Sequence, residues 1–300
     1  MPTLRVEPAA YAQWHAAIHA VRDAVFVLEQ GVPVELEHDA LDPACTHVLA
    51  WDEQGRPVGT GRLTPEGRIG RMAVLAEARN QQVGQAVLEA LVGAARAAGL
   101  AQVVLHAQLP ARDFYARQGF LPEGPEFIEA DIAHQQMALD LQGPVAVNGL
   151  AAAQAITVAV AHRARRQLWL HSPLLDPALL QHAPVQQALR RFCTQRQDTQ
   201  LRVLVHDAAA IVRAGSPLLV LMQRLPSVVR MREVADPADR ALTSACFVND
   251  NGDYYFRMHH QRLDGNAGIA LPPRSQAFTA GLQRVWDRSR DCSELRALGL

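Results

Sequence analysis

The sequence predicts two α/β domains joined by a short linker. Segments with helical periodicity alternate with short strand-like segments along both halves of the chain. The 300 residues correspond to about two domains of roughly 150 residues, and the apolar fraction of 49% is enough for a core in each. Two glycines, a proline and an asparagine within residues 142–149 indicate the boundary, so we expect domains at 1–143 and 150–300.

The first half is predicted to form a mixed sheet with flanking helices. Residues 9–28 place Ile18, Val21 and Val25 on one helical face, and Gly55 lies in a turn between two alternating strands. Gly99 ends a second helix, because glycine readily adopts the left-handed conformation of a helix C-terminus. The expected strands are 3–6, 46–51, 57–63, 67–74, 103–107 and 135–141, and the expected helices are 9–28, 84–98 and 110–118.

The second half also alternates between helices and strands, which predicts another α/β domain. The Asn251-Gly252 pair between two apolar segments is typical of a β-hairpin turn. The expected helices are 150–166, 185–196, 216–225 and 274–290, and the expected strands are 167–171, 200–206, 228–234, 245–249 and 254–258.

The two halves differ in charge, although the whole chain has a net charge of −1. Residues 1–143 contain 10 arginines and 18 acidic residues, a net −8, and residues 144–300 contain 19 arginines and 12 acidic residues, a net +7. Every basic residue is arginine, since the chain has no lysine. The asymmetry indicates a cationic ligand for the first half and an anionic one for the second, or mutual attraction of the two domains.

Composition also limits the class of protein. The four cysteines are far apart and form no C-x-x-C pair, which argues against a zinc site and suits a reducing compartment. No run of about 18 apolar residues predicts a membrane span, and no basic segment followed by an apolar one predicts a secretory signal. We therefore expect a cytoplasmic protein without a metal, and the oligomeric state stays open.

One ordered series of motifs in the first half carries functional information. A strand at 68–74 is followed by the segment Arg79-Asn80-Gln81-Gln82-Val83-Gly84-Gln85, a helix, a second strand, and Phe114-Tyr115-x-x-x-Gly119-Phe120. A strand that leads into a helix N-terminus offers backbone N–H groups and a positive dipole end to a phosphate. This order resembles the acyl-CoA-binding half of a GNAT-type N-acetyltransferase.

The resemblance implies a site for acetyl-CoA as co-substrate. The backbone of Met72, Ala73 and Val74 would pair with the pantetheine arm like an added strand. The pyrophosphate would lie on the turn and helix start, which include Arg79, Gln82, Val83, Gly84 and Gln85, and Phe114 would lie beside the coenzyme. Gln82 and Asn80 replace frequent glycines of this turn, so the alternative is a turn that has lost the coenzyme.

Tyr115 is the candidate catalytic residue. In GNAT enzymes a tyrosine at this place lies near the coenzyme sulfur, which implies that Tyr115 donates a proton to the leaving thiolate. The alternative is a core aromatic, as expected for Phe120.

An acidic stretch is the candidate site for the acceptor. Residues 26–42 and 129–137 resemble a small bacterial branch of the GNAT family. Glu37 and Asp39 are expected to hold an ammonium group, and a carboxylate or His47 to take its proton. The alternative is a solvated acidic loop, and His134 is expected to be structural.

The second half resembles one half of a phospholipase D-like fold, through residues 168–173, 185–196, 201–206 and 258–262. Active members need H-x-K and a downstream Asp, whereas this chain has His260-Gln261-Arg262 and Ala267. The resemblance therefore implies a non-catalytic domain that binds an anionic ligand through Arg257, His260 and Arg262.

Two functions follow from these observations. The first is an N-acyltransferase that moves an acetyl group from acetyl-CoA to an amine of a small molecule or a protein. The alternative is an inactive protein that binds acyl-CoA or an anionic ligand. Few aromatic residues, 5% of the chain, argue against nucleic acid as that ligand.

Overall fold

The computed structural model describes residues 4–196 and 198–292. The chain forms two compact units. The first consists of residues up to 109 together with 123–142, and the second of residues 110–122 together with those from 143 onward.

Residues 4–142 contain two sheets and several helices, of which α4 (Arg112–Arg117) belongs to the second unit. A four-stranded sheet has the order β1-β2-β3-β4, and a three-stranded sheet has the order β5-β7-β6. In chain order the elements are β1 (Arg5–Ala9), α1 (Tyr11–Arg22), a π-helical segment (Asp23–Glu29), α2 (Val34–Glu37), β2 (Thr46–Trp51), β3 (Pro57–Leu63), β4 (Ile69–Val74), α3 (Val83–Ala97), β5 (Gln102–Gln108), α4 (Arg112–Arg117), β6 (Leu121–Glu129) and β7 (Ile132–Asp140).

The predicted elements differ from these at several places, of which three concern β1, the helix 9–28 and β6. The predicted strand 3–6 corresponds to β1, and residue 3 lies outside the described residues. The predicted helix 9–28 changes to π-helical geometry after Arg22. Strand β6 was not predicted, because Pro122, Gly124 and Pro125 are typical of a loop. It lies at the edge of its sheet, where a proline is tolerated.

Helix α3 packs closely on β3 because that strand has glycines where the helix crosses it. A Cβ atom on Gly61 would lie 2.8 Å from Cδ1 of Leu91 and 3.0 Å from Cγ1 of Val87. Val87 and Leu91 belong to α3 and are buried. This packing fixes the N-terminus of α3 relative to the sheet.

A buried ion-pair network ties α1 and α2 to the sheet. The fully buried Asp42 carboxylate accepts hydrogen bonds from Nη1 of Arg22 at 2.9 and 3.0 Å, and from Nη1 of Arg62 at 2.5 Å. Arg22 also pairs with buried Glu37. Burial alone would raise the pKa of Asp42, but the hydrogen bonds from the two arginines outweigh burial and lower that pKa.

Asp39 extends this network to β4. Arg62 donates to both Asp39 carboxylate oxygens, at 2.7 and 2.6 Å, and holds the pKa of that carboxyl well below its usual range. Arg71 of β4 donates to Asp39 at 3.2 Å and to the carbonyl oxygen of Leu36 at 2.8 Å. Arg71 has a φ of 49°, at a bulge where the register between β3 and β4 shifts. The hydrogen bonds of the Arg71 side chain therefore stabilise a strained backbone conformation in β4.

The second unit contains an eight-stranded sheet with the order β15-β11-β10-β9-β12-β13-β14-β8. Strands β9, β10 and β11 are parallel, and β12 runs antiparallel to β9. After α4 the elements are β8 (Val145–Val147), α5 (Gly149–Arg163), β9 (Gln167–His171), α6 (Pro177–Leu180), α7 (Ala183–Gln195), β10 (Gln200–Val205), α8 (Ala208–Ala214), α9 (Pro217–Arg224), β11 (Val229–Glu233), α10 (Pro237–Arg240), β12 (Ala245–Asn249), β13 (Tyr254–Arg257), β14 (Gly265–Gly268), α11 (Pro272–Arg288) and β15 (Arg290–Asp291).

Helices cover both faces of this sheet. Trp169, Val248 and Tyr254 form a core with Leu282 and Trp286 of α11. Their sequence neighbours Leu170, Phe247 and Tyr255 point to the opposite face, where they lie near Thr157 of α5. Helix α4 packs against α5 within the same unit. Strand β8 lies inside the predicted linker 142–149 and pairs with β14.

We expect Asp42→Asn to destabilise the protein by about 1.5–3 kcal/mol, because it removes one of the two carboxylates that pair with each of the buried Arg22 and Arg62. The folded-state pKa of Asp42 lies below its unfolded value, so its contribution is present above about pH 4 and is lost as the pH falls further. Urea unfolding at pH 7 and pH 3 measures both effects, and the difference between the two proteins should shrink at the lower pH.

The matched control is Glu66→Gln. Glu66 is exposed and forms no ion pair with any residue from 4 to 196 or from 198 to 292. Its substitution should change the unfolding free energy by no more than about 0.5 kcal/mol. Equal stability of Asp42→Asn and wild type at pH 7 would show that the network is not a stabilising element.

Candidate active site

Strand β4 is the outer strand of the four-stranded sheet, and it diverges from β5. The two strands meet at one parallel bridge between Arg68 and Val104, where the Val104 N–H donates to the Gly67 carbonyl at 3.0 Å. Beyond this bridge β4 and β5 belong to different sheets. The predicted coenzyme strand, Met72 to Val74, therefore lies at a sheet edge beside an opening. An added strand could pair there.

The turn after β4 adopts the left-handed conformation that glycine would favour. Asn80 has a φ of 61° and Gln82 a φ of 65°. Asparagine tolerates this region, and at glutamine it costs roughly 1–2 kcal/mol. The Gln82 carbonyl accepts the N–H of Ala86 at 3.0 Å, which begins α3 directly after the turn. The two replacements therefore preserve the backbone turn.

The N-terminus of α3 has no side-chain cap. Gln82 is the N-cap residue, and its side chain makes no capping hydrogen bond. Val83 is buried, whereas Gly84 and Gln85 are half-buried, and the Gln85 amide donates to Glu89 at 2.9 Å. The first backbone N–H groups of a helix lack intrahelical partners, so this end can accept an anion.

Arg79 is held differently from the expectation. Its guanidinium binds both carboxylate oxygens of Glu29, at 2.8 and 2.5 Å, and Nε donates to the Val74 carbonyl at 3.1 Å. Glu29 offsets the charge that Arg79 was expected to offer a phosphate. In the structure, the hydrogen bonds of Arg79 connect the turn to the π-helical segment and to the end of β4.

Phe114 and Tyr115 lie on α4, in the second unit, whereas the other predicted coenzyme residues lie in the first. Both side chains are half-buried, with ring centroids 4.9 Å apart, and Tyr115 is 6.1 Å from Phe120. Desolvation raises the pKa of Tyr115 to about 12. The phenol is therefore protonated at neutral pH, the form that a general acid needs.

The expectation of an open acidic face is wrong for Glu37, and Asp39 is only half-exposed. Glu37 is buried with Arg22 and Arg71, and Asp39 pairs with Arg62 and Arg71. Three arginines therefore neutralise the charges of Glu37, Asp39 and Asp42. These residues look like an unpaired acidic run in the sequence, because their arginine partners are distant along the chain.

His47 is also buried, which does not match its expected role as a base open to the acceptor. Its Nε2 bonds the Asp42 carbonyl at 2.8 Å, and its ring stacks on Tyr11 at 5.1 Å. Burial lowers the pKa of His47, so the ring is neutral at pH 7. Its Nδ1 has no hydrogen-bond partner among the described residues.

Sequence reasoning missed a row of hydrogen-bonded titratable groups that begins on α1 and continues beyond it. The Tyr11 hydroxyl bonds Nε2 of His19 at 2.9 Å, and Nδ1 of His19 bonds Nδ1 of His38 at 3.2 Å. Nε2 of His38 bonds Asp23 at 2.8 Å. Tyr11 and His19 are eight residues apart on one helical face, and this spacing was the signal that could have found them. Such a row can move a proton along its length.

In the second unit, Arg257 does not face an open anion site. It is 4% exposed, and its Nη1 donates to Asp176 at 2.8 Å and to the carbonyl oxygens of His260 and Arg262 at 3.1 and 3.2 Å. The prediction that Arg257 binds an anion was therefore wrong, because its guanidinium organises the loop after β13.

Two absences apply to the described part of the chain. Within residues 4–196 and 198–292, no group of three or more His, Cys, Asp or Glu side chains is placed to hold a metal ion. Over the same ranges, no helix has the length and apolar character needed to cross a membrane.

Comparison with known proteins assigns each half of the chain separately. Residues 14–141 match the acetyltransferase (GNAT) domain, and residues 149–298 match a domain of unknown function (DUF7931). The chain is 38% identical over 124 residues to an uncharacterised N-acetyltransferase of Bacillus subtilis, YjcF, an alignment that covers 40% of this chain and 88% of that protein. None of these matches shows a phospholipase D-like fold, so that interpretation of the second half stays a prediction.

Solved structures with similarity to this chain carry related names. An acyl-CoA N-acyltransferase from Pseudomonas aeruginosa is 30% identical, with a TM-score of 0.41, over 45% of this chain and 99% of that one. Escherichia coli ElaA is 26% identical, with a TM-score of 0.41, over 45% of this chain and 99% of that one. From the family match and the Bacillus relative, the chain belongs to the GNAT acetyltransferases through residues 14–141 and to the DUF7931 family through residues 149–298, and it is an acyltransferase with a second domain.

Proposed function

We propose that this protein transfers an acetyl group from acetyl-CoA to an amine by direct attack of that amine. The observation that carries the proposal is the uncapped N-terminus of α3, which follows directly on a turn with Asn80 and Gln82 in the left-handed conformation. That turn joins β4, the outer strand of its sheet, to α3. A strand edge that could pair with the coenzyme and a helix end that could bind its phosphates are therefore close in sequence. Isothermal titration with acetyl-CoA tests it.

The residues present fit a coenzyme of this kind. Met72 to Val74 would pair with the pantetheine arm through backbone groups, and Val83, Gly84 and Gln85 would direct N–H groups at the pyrophosphate. Gln82 shapes the turn, and Arg79 positions it through Val74 and Glu29. When bound, acetyl-CoA supplies an activated acetyl group and a thiolate leaving group.

Tyr115 would donate the proton that the departing sulfur takes up. Its raised pKa keeps the phenol protonated across the physiological range, so the donor form is always populated. Phe114 packs against its ring and would limit its orientation.

The acceptor is an amine of a small molecule or of a protein. It must lose a proton to become a nucleophile. Of the three residues predicted to contact it, Glu37 and His47 are buried and Asp39 is half-exposed. Because Asp39 pairs with Arg62 and Arg71, we place on it a hydrogen bond to the acceptor rather than the binding of an ammonium group.

A catalytically inactive binding protein is the less favoured function, because the turn keeps its backbone shape without glycine. For the second half, a non-catalytic phospholipase D-like domain stays our structural interpretation. Ala267 is buried in β14, where an active member would need a carboxylate.

Gln82→Gly should bind acetyl-CoA as tightly as wild type or several-fold more tightly, because glycine removes the strain of a positive φ and a Cβ near the phosphates. Gln82→Pro should weaken binding by roughly tenfold or more, because the proline ring fixes φ near −65° and destroys the turn. Titration calorimetry measures both constants. Unchanged affinity in the proline variant would show that the turn does not contribute to binding of the coenzyme.

Tyr115→Phe should lower turnover by about 100-fold or more while the affinity for acetyl-CoA changes little, because only a proton donor is lost. Release of the CoA thiol with a primary alkylamine as acceptor measures turnover. Tyr254→Phe is the matched control, since the buried Tyr254 hydroxyl has no hydrogen-bond partner among the described residues. If Tyr115→Phe had the same turnover as wild type, the Tyr115 ring would contribute to packing and not donate a proton.

A further inference from the structure

The second unit contains a cavity of about 390 Å³ between α7 and α9, and Leu180 of α6 also lines it. This volume is within the range of pockets that bind small molecules. Its walls are mostly aliphatic, and Leu189, Leu218, Leu221 and Leu225 are among them. The cavity lies within one unit and uses none of the residues assigned to acyl transfer.

The polar groups of this cavity are few and ordered. Gln186, Arg190 and Thr194 are spaced four residues apart along α7 and therefore lie on one stripe of that helix. The Gln186 amide donates to the Gln181 carbonyl at 3.2 Å, and the Thr194 hydroxyl donates to the Arg190 carbonyl at 2.9 Å. The lining includes no acidic residue, so its formal charge is positive.

Two arginines supply that charge, Arg190 from α7 and Arg224 from α9. Neither side chain forms an ion pair or hydrogen bond with any other residue that the structure describes, whereas Arg163 pairs with Asp253 at 3.0 Å and Arg288 with Asp239 at 2.8 Å. A guanidinium stays protonated at any physiological pH. The cavity thus combines an aliphatic wall with two cations that lack partners.

We propose that this cavity binds an aliphatic carboxylic acid. The alkyl chain would lie on the leucine wall, where burial of apolar surface is favourable, and the carboxylate would be held by Arg190 and Arg224. An inorganic anion would leave the wall unused, and an alkylamine would be repelled by both arginines. The second domain would then be a ligand-binding module with its own small molecule.

Titration of the full chain with sodium decanoate tests this proposal. Decanoate should bind with a dissociation constant below about 1 mM, a modest value for so small a ligand. The double variant Arg190→Gln/Arg224→Gln should weaken that binding by at least about tenfold, because charge-assisted hydrogen bonds to the carboxylate are lost. Leu221→Asp is a second route to the same result, since it places a negative charge in the wall.

The matched control is Arg213→Gln/Arg284→Gln, which removes two exposed arginines that do not line the cavity and should leave decanoate binding unchanged. Butyrate, 1-decanol and decyltrimethylammonium should each bind at least about tenfold more weakly than decanoate, because each lacks the long chain or the anionic head. No heat with decanoate at millimolar concentration, or equal affinity in the cavity and control variants, would overturn the proposal. Tighter binding of decyl phosphate than of decanoate would overturn the choice of a carboxylate.

Discussion

The first unit depends on the ion pairs between the buried Asp42 carboxylate and two arginines. Arg22 comes from α1 and Arg62 from β3, so this one carboxylate joins a helix to the sheet. The same set of charges reaches Arg71 through Asp39 and thereby the bulge in β4. The strand edge proposed for the coenzyme begins directly after that bulge. Charges that are not proposed to contact the coenzyme therefore shape its proposed site.

The turn before α3 shows how backbone geometry can persist when its usual residue is replaced. Asn80 and Gln82 both adopt positive φ, and the helix begins at the residue that follows. The strain at Gln82 is borne by the packing of α3, whose residues Val83, Val87 and Leu91 are buried against the sheet. The helix end proposed to bind the coenzyme thus depends on its packing as much as on its sequence.

Local patterns in the sequence predicted most of the fold and little of the charge pairing. The Asn251-Gly252 turn and strand 245–249 were predicted correctly, because both signals span only a few residues. Strand β6 was missed because two prolines and a glycine dominate its pattern. The partners of Glu37, Asp39 and Asp42 could not be predicted, since Arg62 and Arg71 lie 20 or more residues away and no periodicity connects them. The order of motifs indicated the segment that we propose for the coenzyme, but not the ion pair between Arg79 and Glu29.

Helix α4 has a consequence for how this protein can be recombined. The helix follows β5 in the chain and carries Tyr115, yet it packs on α5 and belongs to the second unit. A cut at residue 143 would therefore not release an intact module, because it would separate α4 from the helix that supports it. An exchange of domains between homologues at that position would place an α4 from one protein against an α5 from another.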